Sequence, residues 1–225
     1  MKVVLFGATG MVGRGVLREC LLDPDVESVL AVARSPLEER HPKLRELRHG
    51  DFLDFSKVAA ELTGYDACFF CLGVSSAGMK EADYRRVTYD LTLAAARVLA
   101  ERNPSMTFIY VSGDGTDSSE RGRIMWARVK GATENALLRL PFRSAYMFRP
   151  ALIQPLHGIE PKAKLVRAFY VGLKPLIPVL RTLVPRYVTT TENVGRAMLR
   201  AAKHGAPGPI VRNLEIERLA HAAGR

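Results

Sequence analysis

The chain has 225 residues, 48% apolar and 25% charged, which fits a globular protein of one or two domains and excludes collagen-like or wholly disordered classes. Its net charge of +10 is unevenly placed: residues 1–140 carry 19 basic and 19 acidic side chains, residues 141–225 carry 14 and 4. No apolar run reaches the ~18–20 residues of a membrane span, no secretory signal is visible, and three cysteines suit a reducing, cytoplasmic compartment better than a disulfide framework.

In chain order, Val3–Phe6 is a continuous apolar run that reads as a strand buried on both faces. A glycine-spaced loop follows over residues 7–13. Val12, Val16, Leu17, Cys20 and Leu21 then hold helical spacing until Asp23-Pro24 stops it. Val29–Ala33 is a second buried strand and Leu44–Arg48 a weaker third, with a short helix around Val58–Leu62. Strands are expected over Ala67–Leu72, Thr107–Val111 and Ser144–Phe148. Between them stand a long helix over Glu81–Arg102, ended by Asn103-Pro104, and another over Ile124–Leu140. Thr189–Lys203 reads as a late helix with Thr191 as its N-cap. Strands alternating with helices predict an α/β fold, a single doubly wound parallel sheet with right-handed crossovers and helices on both faces. With no repeat or linker, residues 1–225 read as one domain.

The loop Gly7-Ala8-Thr9-Gly10-Met11-Val12-Gly13 is G-x-x-G-x-x-G between a strand and a helix. One glycine allows the tight turn, one lets backbone approach a diphosphate, and one lets the helix pack on the strand. The phosphates then meet free N–H groups at the positive end of the helix dipole. The end of the second strand selects the nicotinamide cofactor, because an acid there accepts from a ribose 2′-hydroxyl whereas Arg suits a 2′-phosphate. The chain has Ala33-Arg34-Ser35 with no acid until Glu38, and Arg14 adds a second cation just past Gly13. NADP(H) is therefore favoured over NAD(H). Asp51 and Phe52 follow the third strand, where an acid meets an adenine amino group and an apolar neighbour covers the ring. Cys71-Leu72-Gly73 holds the matching place after the fourth strand. Cys68-x-x-Cys71 lies in a strand, whose residues three apart face opposite sides, so no metal site is expected.

These segments, together with Val111-Ser112, Val129-Lys130-Gly131 and Phe148-Arg149-Pro150, resemble the short-chain dehydrogenase/reductase superfamily. The closer likeness is to its atypical NAD(P)-binding branch, including the HIV Tat-interacting protein-like oxidoreductases. The resemblance implies a Rossmann sheet ordered 3-2-1-4-5-6, with a seventh strand allowed, and NADP(H) across the strands' carboxyl ends. It also implies a reducing site made of Ser112, a tyrosine four residues before Lys130, and Lys130 itself, with Arg149-Pro150 beside the nicotinamide. At the tyrosine's position stands Trp126. Its indole N–H donates but does not titrate near neutrality, so it cannot replace a phenol as acid or base. Lys130 retains a use on the nicotinamide ribose, and Ser112 either binds a substrate oxygen or caps a loop. Asp114, between two glycines, is a candidate substitute acid or plain turn chemistry. His157 lies where a substrate loop is expected.

Residues 155–190 read as a basic, apolar cap over the substrate cleft. Within them, 161–187 could instead form a homo-oligomer surface or dock on a membrane surface. No nucleic-acid signature is present. The reading is an NADP(H)-binding oxidoreductase or epimerase-like enzyme acting on a small carbonyl or hydroxy substrate. The alternatives are a non-catalytic NADPH-sensing regulator or scaffold, and a peripheral-membrane redox protein.

Overall fold

The computed structural model describes residues 1–160, Gly172 and residues 185–222. Seven strands form the main sheet: β1 (Lys2–Phe6), β2 (Ser28–Ala33), β3 (Leu44–Arg48), β4 (Ala67–Phe70), β5 (Thr107–Val111), β6 (Ser144–Arg149) and β9 (Ile210–Arg212). Their order is 3-2-1-4-5-6-9 and every neighbouring pair is parallel. A short parallel pair, β7 (Leu152–Gln154) with β8 (Val188–Thr190), stands apart. The helices are α1 (Met11–Leu22), α2 (Glu81–Arg85), α3 (Leu91–Arg102), α4 (Met125–Leu137), α5 (Thr191–His204) and α6 (Asn213–His221), with a 3-10 segment over Ser56–Leu62.

Alternation along β1 creates two cores, because successive side chains leave a strand on opposite faces. Val3 and Leu5 pack with Val16, Leu17 and Cys20 of α1, Val194 and Met198 of α5, and Ile216 of α6. Val4 and Phe6 pack with Leu62, with Leu93 and Leu99 of α3, and with Leu137 of α4. Cys68 belongs to the second core and Cys71 packs on the first, the opposite-facing arrangement expected of a strand. Asn103 ends α3 and also shapes the preceding turn. Its amide donates to the carbonyls of Leu62 and Leu99, and its oxygen accepts from Gly64 and Tyr65 N–H. One side chain thus satisfies both segments, as a buried amide requires.

α1 and α5 touch closely because both carry glycine at the crossing. A Cβ on Gly15 would lie 2.5 Å from the Thr191 Cβ, and one on Gly195 would lie 2.8 Å from the Glu19 Cγ. This seats the N-terminus of α5 beside the first turns of α1.

Four sequence expectations change. The long helix over 81–102 is interrupted by a π turn at Arg86–Asp90. The late helix begins at Thr191, with Thr190 as the cap: its hydroxyl accepts from the Asn193 N–H, and residues 188–190 are strand. The seventh strand comes from Ile210–Arg212, too short to announce itself by alternation, and α6 follows it. The anticipated cap over 155–190 lies largely outside the described residues, whereas its ends form the loop after β7 and the strand β8.

Candidate active site

The glycine loop is built by backbone crowding. Gly7 has φ of +83°, and a Cβ there would sit 2.7 Å from the Cys71 carbonyl and the Leu72 nitrogen. A Cβ on Gly13 would lie 2.0 Å from the Gly7 oxygen. The loop closes with Gly10 N–H donating to the Gly7 oxygen at 2.9 Å. Gly10 is the N-cap of α1, and the first turn presents its backbone amides with no side-chain cap and no acid of its own. That is the shape and polarity a dinucleotide's diphosphate needs, so these residues fit the group. Within the loop Ala8 is buried, while Thr9, Met11 and Val12 are half-buried.

At the end of β2, Arg34 and Ser35 are exposed, as is Arg14 in α1. Arg14 has no hydrogen-bond or ion-pair partner among the described residues, and the Arg34 guanidinium stands 6.0 Å from the Phe52 ring centre. Phe52 itself is only 6% exposed, edge-on to Phe6 at 6.0 Å and tilted against Phe55. It is therefore committed to the core and does not lie open to cover an adenine, which corrects the sequence expectation. Asp51 is exposed and accepts from the Leu53 N–H at 2.9 Å. Leu72 is half-buried, and Gly73 has open space where a Cβ would be.

At the carboxyl ends of β5 and β6, side chains take over. Trp126, Lys130 and Glu134 recur every fourth residue and share one face of α4. Glu134 is fully buried. It accepts from the Ser112 hydroxyl at 2.5 Å and forms a two-pronged pair with Arg149, whose Nε lies 3.1 Å from Oε1 while Nη2 meets Oε2. Arg149 also donates to the Ser118 hydroxyl. The Lys130 ammonium donates to the backbone carbonyl of Ser112. Burial draws that ammonium down to about 8, against the opposite pull of the Glu134 carboxylate.

Known proteins share the fold. A family model described as NAD(P)H-binding matches residues 7–137, more than half of the chain. The chain belongs to that NAD(P)H-binding family. Protein fmp52-2, mitochondrial, of Aspergillus oryzae is 27% identical over 206 residues, covering 91% of this chain and 87% of that protein. The Bordetella bronchiseptica enzyme WbmF, solved with NAD+, superposes with a TM-score of 0.68 at 16% identity, over 97% of this chain and 76% of its own. Gre2 of Candida albicans, solved with NADPH, gives 0.68 at 15%, over 91% and 75%. The fold is the α/β Rossmann fold, in a chain of the NAD(P)H-binding family. No helix among the described residues is long and apolar enough to cross a membrane.

In this NAD(P)H-binding protein the sequence-predicted site residues separate into two groups. Gly7, Gly10 and Gly13 form the cradle, and Lys130 and Ser112 meet at the end of β5. Arg149, expected beside the nicotinamide, turns instead into the interior onto Glu134, and the Ser112 hydroxyl does the same. The Pro150 carbonyl accepts from the Asp114 N–H at 2.8 Å, and the Asp114 carboxyl side is exposed. Trp126 packs beside Gly115, where a Cβ would lie 3.4 Å from the indole. Tyr84 and Tyr110 do not replace the missing phenol: both are 1% exposed and burial raises both above their ordinary range. His157, with φ of +55°, pairs with Glu192 at 2.6 Å and lines a cavity of about 420 Å³ along α1, away from Lys130's helix. Glu134 was missed by sequence reading. Its signal was an acid one helical turn beyond Lys130, on the face α4 buries.

Proposed function

We propose that this protein is an NADP(H)-dependent oxidoreductase acting on a small carbonyl or hydroxy compound. The observation that carries the reading is the uncapped first turn of α1 after Gly10, which holds no acid, together with the exposed guanidiniums of Arg14 and Arg34, neither of them ion-paired among the described residues. Backbone amides would hold the diphosphate, the two arginines would meet a 2′-phosphate, and Lys130 would reach the nicotinamide ribose. The bound nicotinamide supplies hydride chemistry; the chain's own part is to orient it and to hold a proton.

Trp126 is the only tryptophan, so its emission provides the test. NADPH is expected to quench it saturably and NADH to do so only at much higher concentration. NADPH consumption over a panel of aldehydes and ketones then separates turnover from binding. A second reading, a protein that senses NADPH without turnover, is favoured by Trp126 standing where a titrating phenol belongs. Binding without consumption of any carbonyl supports it. The basic stretch 161–187 remains a proposed contact for a membrane surface or a second copy, and sedimentation with anionic vesicles tests the first of these. Relatives named as mitochondrial oppose the cytoplasmic expectation, and subcellular fractionation decides between the two compartments.

A further inference from the structure

The reductive reading leaves one chemical requirement open. When a carbonyl carbon gains hydride, its oxygen must gain a proton, and the residue that ordinarily fills this place is Trp126 here. The surrounding groups narrow the choice. The Ser112 hydroxyl has one hydrogen, and both oxygens within its reach, Glu134 Oε1 at 2.5 Å and the Phe148 carbonyl at 3.1 Å, lie in the interior. Ser112 therefore has no proton to offer the cleft. Arg149 is committed to Glu134 and Ser118 and does not titrate in proteins. Tyr110 and Tyr84 are enclosed. Asp114 is exposed in the turn between Gly113 and Gly115, its N–H on the Pro150 carbonyl, whereas Lys130 stands one turn after Trp126 on the same helix face, partly buried, with one ammonium hydrogen on the Ser112 carbonyl and two uncommitted.

We infer that Lys130 is the catalytic proton carrier of this site, and that Glu134 is the positioning residue that turns Ser112 and Arg149 away from the cleft. The inference rests on the oxidoreductase reading above. In reduction, one Nζ–H bond breaks and an O–H bond forms on the substrate oxygen, whose electron pair comes from the former C=O bond. The neutral amine left on Lys130 is reprotonated from solvent. In oxidation the same amine takes the hydroxyl proton. The charged groups facing Nζ are Glu134 on its own helix and, behind it from β6, Arg149, which holds that carboxylate in place. An ammonium drawn down toward neutrality is matched to both directions of transfer.

The test has two arms on the full chain. In the first, ε-¹³C-lysine NMR follows the titration of cofactor-free protein, the Lys130 resonance being assigned by its loss in Lys130→Arg. A midpoint near 8 is expected, falling further in Glu134→Gln because the carboxylate that favours the ammonium is gone. A wild-type midpoint above 10 overturns the inference, whatever the variant does. In the second arm, Lys130→Ala at saturating NADPH is expected to lose ~10²–10⁴-fold in turnover of the best carbonyl, with added ethylamine restoring part of it. A merely structural lysine gives no such rescue, so its absence in a variant whose Trp126 still responds to NADPH also overturns the inference. Failure of the wild type itself to respond to NADPH sinks the oxidoreductase reading beneath, whereas an intact response with an ordinary Lys130 midpoint sinks this inference alone.

Discussion

The two ends of this binding cleft are made of different material. At β1–α1 the geometry comes from atoms that are missing: Gly7 and Gly13 leave room for backbone to pass within 2.0–2.7 Å of where a Cβ would stand. At β5–α4–β6 it comes from side chains far apart in sequence, Ser112, Glu134 and Arg149, that meet in a fully buried cluster. The first end tolerates no addition and the second no subtraction. A cradle that must accept a polyanion presents amides, which carry no net charge to neutralise. A centre that must hold one ammionium at the edge of the interior needs an ion pair behind it.

Breaking the second end should cost most. Glu134→Ala leaves the Arg149 guanidinium buried without its carboxylate, a loss of about 3–5 kcal/mol. For a chain of this size the melting midpoint should fall by roughly 6–20 °C. The double variant Glu134→Leu/Arg149→Met should recover most of that loss, since a buried pair replaced by apolar groups of similar volume is close to neutral. Ser112 keeps the Phe148 carbonyl as its acceptor in that variant. A double variant as unstable as the single would show that the cluster's contribution is not the pairing of charge.

The corresponding addition at the first end is Gly13→Ala, whose Cβ would meet the Gly7 oxygen at 2.0 Å. Overpacking of this kind costs about 1–3 kcal/mol, and the NADPH response of Trp126 should weaken with it because the cradle must open. Gly50→Ala is the control: nothing lies within 4 Å of its Cβ position, so its stability should stay within about 0.5 kcal/mol of wild type. Equal effects from the two glycines would remove the distinction between the cleft's ends.

That distinction also explains what was legible in the sequence. β1, the glycine loop and α1 are contiguous, and each requirement leaves a local mark: apolar run, glycine at fixed steps, helical spacing. The parallel sheet followed from repetition of the same unit. Glu134 left only a weak mark, because an acid in a helix is ordinarily solvated and its partners are 22 and 15 residues away. Arg149 was placed by analogy with its strand position, but a strand end does not say which way a long side chain turns. Phe52 was offered to a ligand because it sits at a strand's carboxyl end, yet Phe6 and Phe55 already enclose it. β9 is three residues long, shorter than any alternation can be recognised in.

A smaller effect separates the ends by pH. The Lys130 midpoint of about 8 lies below its unfolded value of 10.5, so between those limits the unfolded chain binds the extra proton. On this group alone stability rises with pH from about 8 to about 10.5, and below 8 the cost of enclosing the ammonium is fully present. Lys130→Met should therefore raise the melting midpoint near neutrality and flatten its pH dependence over that window. Unchanged curvature would mean that the ammonium is hydrated.

The smallest expected change lies at the rim of the first end. Arg34 is exposed, and among the described residues its one ring or charge contact is the Phe52 ring at 6.0 Å, so its removal should leave stability unaltered and act on cofactor choice alone. Arg34→Asp places an acceptor where the sequence has no acid until Glu38, which suits a ribose 2′-hydroxyl and repels a 2′-phosphate. About a tenfold weakening for NADPH is expected, worth about 1.4 kcal/mol, with NADH unchanged or improved. Arg14 limits the size of the effect, because its unpaired guanidinium remains on the neighbouring turn of α1. If Arg34→Asp keeps full preference for NADPH and Arg14→Ala loses it, the 2′-phosphate contact belongs to the helix rather than to the strand end, and the cradle alone selects the cofactor.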